Sequence, residues 1–158
     1  MNTSPFLIII IIFFVGIAAT TAMTLFIFSF KNIGLIRIDT FSAIGSLFSE
    51  SMDKARLTGW IAHGISGMVF CLLYAVCFVR LDIFNLGFLV TLTTGALIGF
   101  IHGLVVSFLI LNFVGEHHPL ARFRHESIEM ALVYLGGHTV YGIFISLLMF
   151  PLHKVGLI

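Results

Sequence analysis

Residues 86 to 114 read LGFLVTLTTGALIGFIHGLVVSFLILNFV, a run without a single Asp, Glu, Lys or Arg. A helix needs about 20 apolar residues to cross the ~30 Å hydrocarbon core of a bilayer. This run exceeds that length, and tilt absorbs the surplus. Further apolar stretches cover 6–30, 59–80 (bracketed by Arg56 and Arg80) and 128–151, the last ending short of Lys154. Hydrocarbon offers no water to a free backbone N–H or C=O, so a span is a helix or part of a closed barrel. Unbroken apolar runs of this length select helices. The sequence therefore predicts an all-α membrane protein, a four-transmembrane-helix bundle forming a single domain over 1–158.

Composition leads to the same place. Hydrophobic residues are 59% of the chain and charged residues 9%, against roughly 25% charged in ordinary soluble domains. Such a chain cannot clothe a water-facing surface, and the lipid bilayer is its first partner. The net charge of +1 is not gathered into a basic block, which removes any electrostatic basis for binding nucleic acid. Cys71 and Cys77 share one apolar helix but point to different faces, so a disulfide between them is not expected. The first stretch lacks a basic leader and is longer than the ~7–15 apolar residues of a signal peptide, which predicts a retained helix.

Orientation follows from basic residues in the short loops. Lys31, Arg37, Lys54, Arg56, Arg122 and Arg124 lie on one side, against Arg80 and Lys154 on the other. The expected arrangement puts loops one and three in the cytoplasm and both termini outside. Between the first two spans, Phe41, Ile44, Leu47, Phe48 and Met52 recur at helical spacing, opposite Ser42, Ser46, Ser49 and Glu50. That pattern predicts a short amphipathic helix over 40–53, with Asp39 or Thr40 as its cap. It either lies in the interface or packs on the bundle as a connector.

Small residues mark the seams. Gly95, Gly99, Gly103 and Ser107 recur every fourth position in span three; Gly16, Thr20 and Thr24 do so in span one, and Gly59, His63, Gly67, Cys71 and Ala75 in span two. In lipid, close backbone approach along such stripes drives helix association, so Gly67, Gly95, Gly99, Gly103 and Gly142 are expected at helix contacts. A faint repeat accompanies them. His63, Gly67 and Leu72-Leu73 in span two recur at identical spacing as His138, Gly142 and Leu147-Leu148 in span four. A tandem duplication of a two-helix hairpin explains this, with parallel repeats.

The run Gly16-Ile-Ala-Ala-Thr-Thr-Ala-Met, the residues His63, Gly67 and Tyr74-Ala75, and His138-Thr-Val-Tyr141-Gly142 resemble small bacterial four-helix integral membrane proteins of unknown function. The resemblance implies a membrane fold and no activity.

Ionisable residues within a span face the bundle interior and are functional candidates. Counting from the cytoplasmic helix ends, His102 and His138 fall roughly 16–18 Å deep, near the midplane, and His63 about 5–8 Å deep. The plain reading is a set of neutral histidines that specify helix packing. The rival is cofactor binding by His102, His138 and His63, as axial ligands to haem or donors to a transition metal. A proton or ion path is the third.

A second polar cluster lies in the loop after span three: Glu116, His117, His118, Pro119, then Arg122, Arg124, His125, Glu126 and Glu129. If a helix starts at Pro119, His125 and Glu129 share a face beside Glu126. His117 or His118 folding back, with Glu116 nearby, would complete a donor set for zinc or iron. The preferred alternative pairs Arg122 with Glu126 and His125 with Glu129, with the acids at the positive end of a helix. Nucleotide-binding loops and serine or cysteine nucleophile motifs are absent.

The function expected is therefore non-enzymatic: an accessory or assembly subunit or a small carrier, partnered by other membrane subunits or by itself. Binding of haem or metal is the alternative. An ion carrier would need two chains to enclose a path.

Overall fold

The computed structural model describes residues 4–32, 34, 39–49, 51–124 and 127–158. Arg37, Glu50, His125 and Glu126, each part of the sequence reading, lie outside the described residues. The chain folds as α1 (Pro5–Asn32), α2 (Thr40–Ser46), α3 (Met52–Arg80), α4 (Phe88–Leu109), α5 (Gly115–His117) and α6 (Ile128–Lys154). A π-helical turn, Ile110–Val114, continues α4, and 3-10 turns occupy Ile83–Leu86 and Ala121–Phe123. Helices α1, α3, α4 and α6 are long and apolar enough to cross a membrane. The molecule is an all-α membrane bundle.

The boundaries of α3 and of the helix expected over 40–53 differ from expectation, while the fourth span begins at 128 as expected. α3 starts at Met52, ahead of the apolar run at 59, because helical bonding does not stop where lipid exposure does; Asp53 in its first turn suits the positive helix end. α6 starts at Ile128 with the Ser127 hydroxyl accepting from Met130 N–H at 3.4 Å. Pro119 therefore does not open that helix, and Arg122 sits in a separate 3-10 turn. The helix expected over 40–53 is confined to Thr40–Ser46 and folds back onto the first turns of α3. A methyl at Gly45 would overlap Ala55 O, and one at Gly59 would overlap Phe41 O. With Phe41, Ser42, Ala43 and Gly45 buried, α2 is a connector packed on the bundle.

Asp39 caps α2, accepting from Ser42 N–H and Oγ–H, and meets Arg56 at 2.8 Å. Burial opposes its charge, yet the Ser42 bonds and the Arg56 guanidinium outweigh that cost and hold the carboxyl below its usual value.

The deepest packing joins α4 to α6; α1 fits against both α6 and α3, whereas α3 and α4 scarcely touch. Along the α4–α6 seam a methyl at Gly99 would overlap His138 O, and one at Gly142 would overlap Gly95 O. Hydroxyls lock the same seam: Ser107 Oγ donates to Ala131 O at 2.7 Å, and Ser146 Oγ to Thr91 O at 3.0 Å.

The two hairpins pack in one register. Ile12, Gly16, Thr20 and Thr24 in α1 correspond to Thr91, Gly95, Gly99 and Gly103 in α4, each 79 positions on. His63, Gly67 and Cys71 in α3 correspond to His138, Gly142 and Ser146 in α6, each 75 on. Their contacts correspond too. Cys71 Sγ reaches Ile12 O at 3.4 Å, as Ser146 Oγ reaches Thr91 O. Gly16 abuts Cys71 and Gly67 O as Gly95 abuts Ser146 and Gly142 O. Thr24 lies against His63 as Gly103 lies against His138.

Gly142→Ala is expected to cost about 1–3 kcal/mol by forcing the backbones apart. Gly64→Ala, with nothing within 4 Å of the added methyl, should be neutral or gain up to about 1 kcal/mol from helix propensity. Thermal unfolding in detergent compares the two. The Asp39–Arg56 pair gives a pH signature. Its contribution is complete above the ordinary carboxylate range and is lost as pH falls through the lowered folded-state value. With Arg56 65% exposed, solvent screening limits it to about 1 kcal/mol. Asp39→Asn should flatten that part of the stability profile when unfolding temperature is followed from neutral pH downward.

Candidate functional site

Three histidines from three helices line one cavity of about 210 Å³: His63 of α3, His102 of α4 and His138 of α6. The depth expected for His63 came from a helix start at 59. Measured from Met52, the eleven residues to His63 rise about 16 Å, which brings His63 level with His138, ten residues into α6. The cavity lies between the two hairpins, and six of its lining residues form corresponding pairs: Met23 with His102, His63 with His138, Ser66 with Tyr141. The pairing is unequal in polarity, since a thioether answers one imidazole and a small hydroxyl answers a phenol.

Each polar group has a distinct state. His138 Nδ1 lies 2.7 Å from Tyr134 O, so Nδ1 carries the proton and the neutral ring keeps a lone pair on Nε2. His63 Nε2 meets Thr24 Oγ1 at 3.4 Å. Tyr141, almost fully buried, donates its hydroxyl to Gly67 O. A helical carbonyl already accepts from its own helix, so this bond crosses from α6 to α3 and ties the hairpins together at the cavity wall. His102 stands edge-to-face with His138, ring centres 4.7 Å apart, and tilts over Phe70 at 4.0 Å. Its Nδ1 is buried and has no hydrogen-bond partner among the described residues; the same holds for Tyr74 Oη and Thr20 Oγ1.

This geometry does not suit haem held by His102 and His138. Two imidazoles bonded to one iron from opposite porphyrin faces stand roughly 6 Å apart, given metal–nitrogen bonds of about 2 Å. The observed rings touch, leaving no slot for a porphyrin between them.

A smaller cavity of about 90 Å³ continues from the first, sharing His63 and His138 and closed by Thr40, Phe41 and Ile44 of α2. α2 is thus the plug at one end of the interior. It is fastened by Phe41 stacked on Trp60 at 3.8 Å and by Thr40 Oγ1 with Tyr134 Oη at 2.7 Å.

The loop residues divide. Glu116 and His117 are exposed, and Glu129 is exposed in the first turn of α6. Of the described candidate ligands in this loop only His118 is buried, 2% exposed, and both its ring nitrogens are bonded. Leu120 N–H donates to its Nδ1 at 3.1 Å, so Nε2 carries the proton and donates to Ala43 O at 3.1 Å. That bond satisfies a carbonyl of α2, which is a structural task. Among the described residues no three His, Cys, Asp or Glu side chains converge to hold a metal. His118→Ala should cost about 2–3 kcal/mol through the orphaned Ala43 and Leu120 groups and the space left. Limited proteolysis should then cut faster between α2 and α3.

The sequence missed the plug, the Tyr141–Gly67 bond and the unsatisfied Tyr74. The regular four-residue spacing of Cys71, Ala75 and the preceding glycines flagged only the neighbouring face of α3. Searches against family models, curated proteins and solved structures find no match to this chain.

Proposed function

We propose that this chain is a non-enzymatic binding protein of the membrane interior, a small carrier or the accessory subunit of a larger assembly, with the histidine-lined cavity as its working centre. The carrying observation is the convergence of His63, His102 and His138 from three helices on one cavity between the hairpins. Polar groups in a span are costly and concentrate where a ligand or ion is handled. A cavity walled by apolar side chains with a few polar atoms is the usual form of a small-molecule site. The basic residues Lys54, Arg56, Arg122 and Arg124 favour loops one and three in the cytoplasm and the termini outside, and the resemblance to small bacterial membrane proteins favours a bacterial plasma membrane.

Binding of a transition-metal ion by two of these histidines is the second reading, since no three candidate ligand side chains converge among the described residues, and one observation favours it. Metal-binding histidines commonly donate their second N–H to a carbonyl, which fixes the tautomer, and His138 does so to Tyr134 O.

Native mass spectrometry and elemental analysis of the detergent-purified protein test both. A bound small molecule near one per chain, lost in His63→Leu and in His138→Leu, supports the first reading. A stoichiometric metal lost in the same variants supports the second. If the wild type retains neither, or both variants retain all of it, the cavity is a packing feature and the proposal falls.

A further inference from the structure

The wall of the three-histidine cavity also carries a sulfur atom. Met23 of α1 is only 3% exposed and lines the cavity together with His63 and His138. Several contacts draw these three residues to one place. α3 and α6 run in the same direction, and the Tyr141 hydroxyl donates to Gly67 O between them. His63 lies four residues before Gly67, and His138 three before Tyr141. Both rings therefore fall about one turn from this bond, on the same side of it. Both also line the smaller cavity beneath α2. Met23 is bracketed by the pair. Its Cγ lies 3.3 Å from the position of a methyl on Gly137, beside His138, and its neighbour Thr24 meets His63 Nε2 at 3.4 Å.

Each of the two rings has one nitrogen committed and one uncommitted. His138 gives its Nδ1–H to Tyr134 O, and His63 has Nε2 against Thr24 Oγ1. His138 Nε2 and His63 Nδ1 make no hydrogen bond among the described residues. One nitrogen tied to an oxygen and the other left open is the arrangement of metal-binding histidines. His102 stays outside the donor set, because three histidines do not converge and its ring is packed between His138 and Phe70.

The donors select the ion. Two imidazoles and a thioether are all uncharged, and among the described residues no Asp, Glu or Cys lines the cavity. The cost of bringing an ion into an apolar span rises with the square of its charge, which disfavours divalent ions here. Zinc would also require four ligands in a structural site, whereas thioether sulfur favours monovalent copper. We infer that His63, His138 and Met23 bind one Cu(I) ion inside the bundle, through His63 Nδ1, His138 Nε2 and Met23 Sδ. This names the metal of the second reading above and rests on that reading.

The test uses the full chain in detergent, reduced and free of oxygen, titrated with Cu(I) in competition with bathocuproine disulfonate. One Cu(I) per chain is expected, with X-ray absorption showing one sulfur and two nitrogen neighbours. Met23→Leu conserves volume and apolar character, so it should fold as the wild type does. It should lose the sulfur neighbour and bind Cu(I) about tenfold more weakly or worse, no less than the loss of an outer-shell partner costs a metal site. His63→Leu and His138→Leu should lower the affinity at least as far. His117→Ala, at an exposed loop position, should leave it unchanged. Met23→Leu decides the question even if a histidine variant fails to fold. Unchanged affinity and sulfur signal in Met23→Leu, or loss of the ion in His117→Ala, overturns the proposal. If zinc is bound instead, lost in both histidine variants and kept in Met23→Leu, this inference falls and the metal reading stands. If no metal binds at all, both fall, and only the small-molecule reading of the cavity remains.

Discussion

Backbone-to-backbone contact between α4 and α6 is the constraint on which the remaining structure depends. Bundled helices in lipid gain nothing from leaving water, so they are joined by close packing and by hydrogen bonds. Gly95, Gly99 and Gly142 let the two helices approach until side-chain carbons would collide with carbonyl oxygens. Ser107 and Ser146 then reach carbonyls on the facing helix. That closeness fixes the height of α6 against α4 and puts His138 beside His102. A looser seam would separate the rings, and the cavity would lose its shape.

The shared register of the two hairpins supplies the frame, and departures from it supply the chemistry. Two hairpins packed in one register would place identical groups around the space between them. This chain keeps the His63–His138 pair but sets Met23 against His102 and Ser66 against Tyr141. The same inequality appears at the periphery. A glycine pair, Gly136 and Gly137, lets α1 close onto α6, whereas α3 and α4 scarcely touch.

Much of this fold was legible in the sequence because a bilayer imposes a crude and strong rule. Charge-free runs of more than about 20 residues can hardly be anything but spanning helices, and the four-residue glycine spacing marks the seams. The repeat was readable from His63, Gly67 and their counterparts, though not its consequence, since only packing reveals that α1 meets α6 across Gly136 and Gly137 while α3 and α4 scarcely touch. α2 was half legible. Its apolar stripe predicted a helix, but the stripe could not say whether lipid or α3 covered it; Gly45 and Gly59 carried that information. The loop cluster misled through spacing alone. Pro119 resembles a helix start, yet the chain bends there, and His118 turns inward to serve a carbonyl of α2.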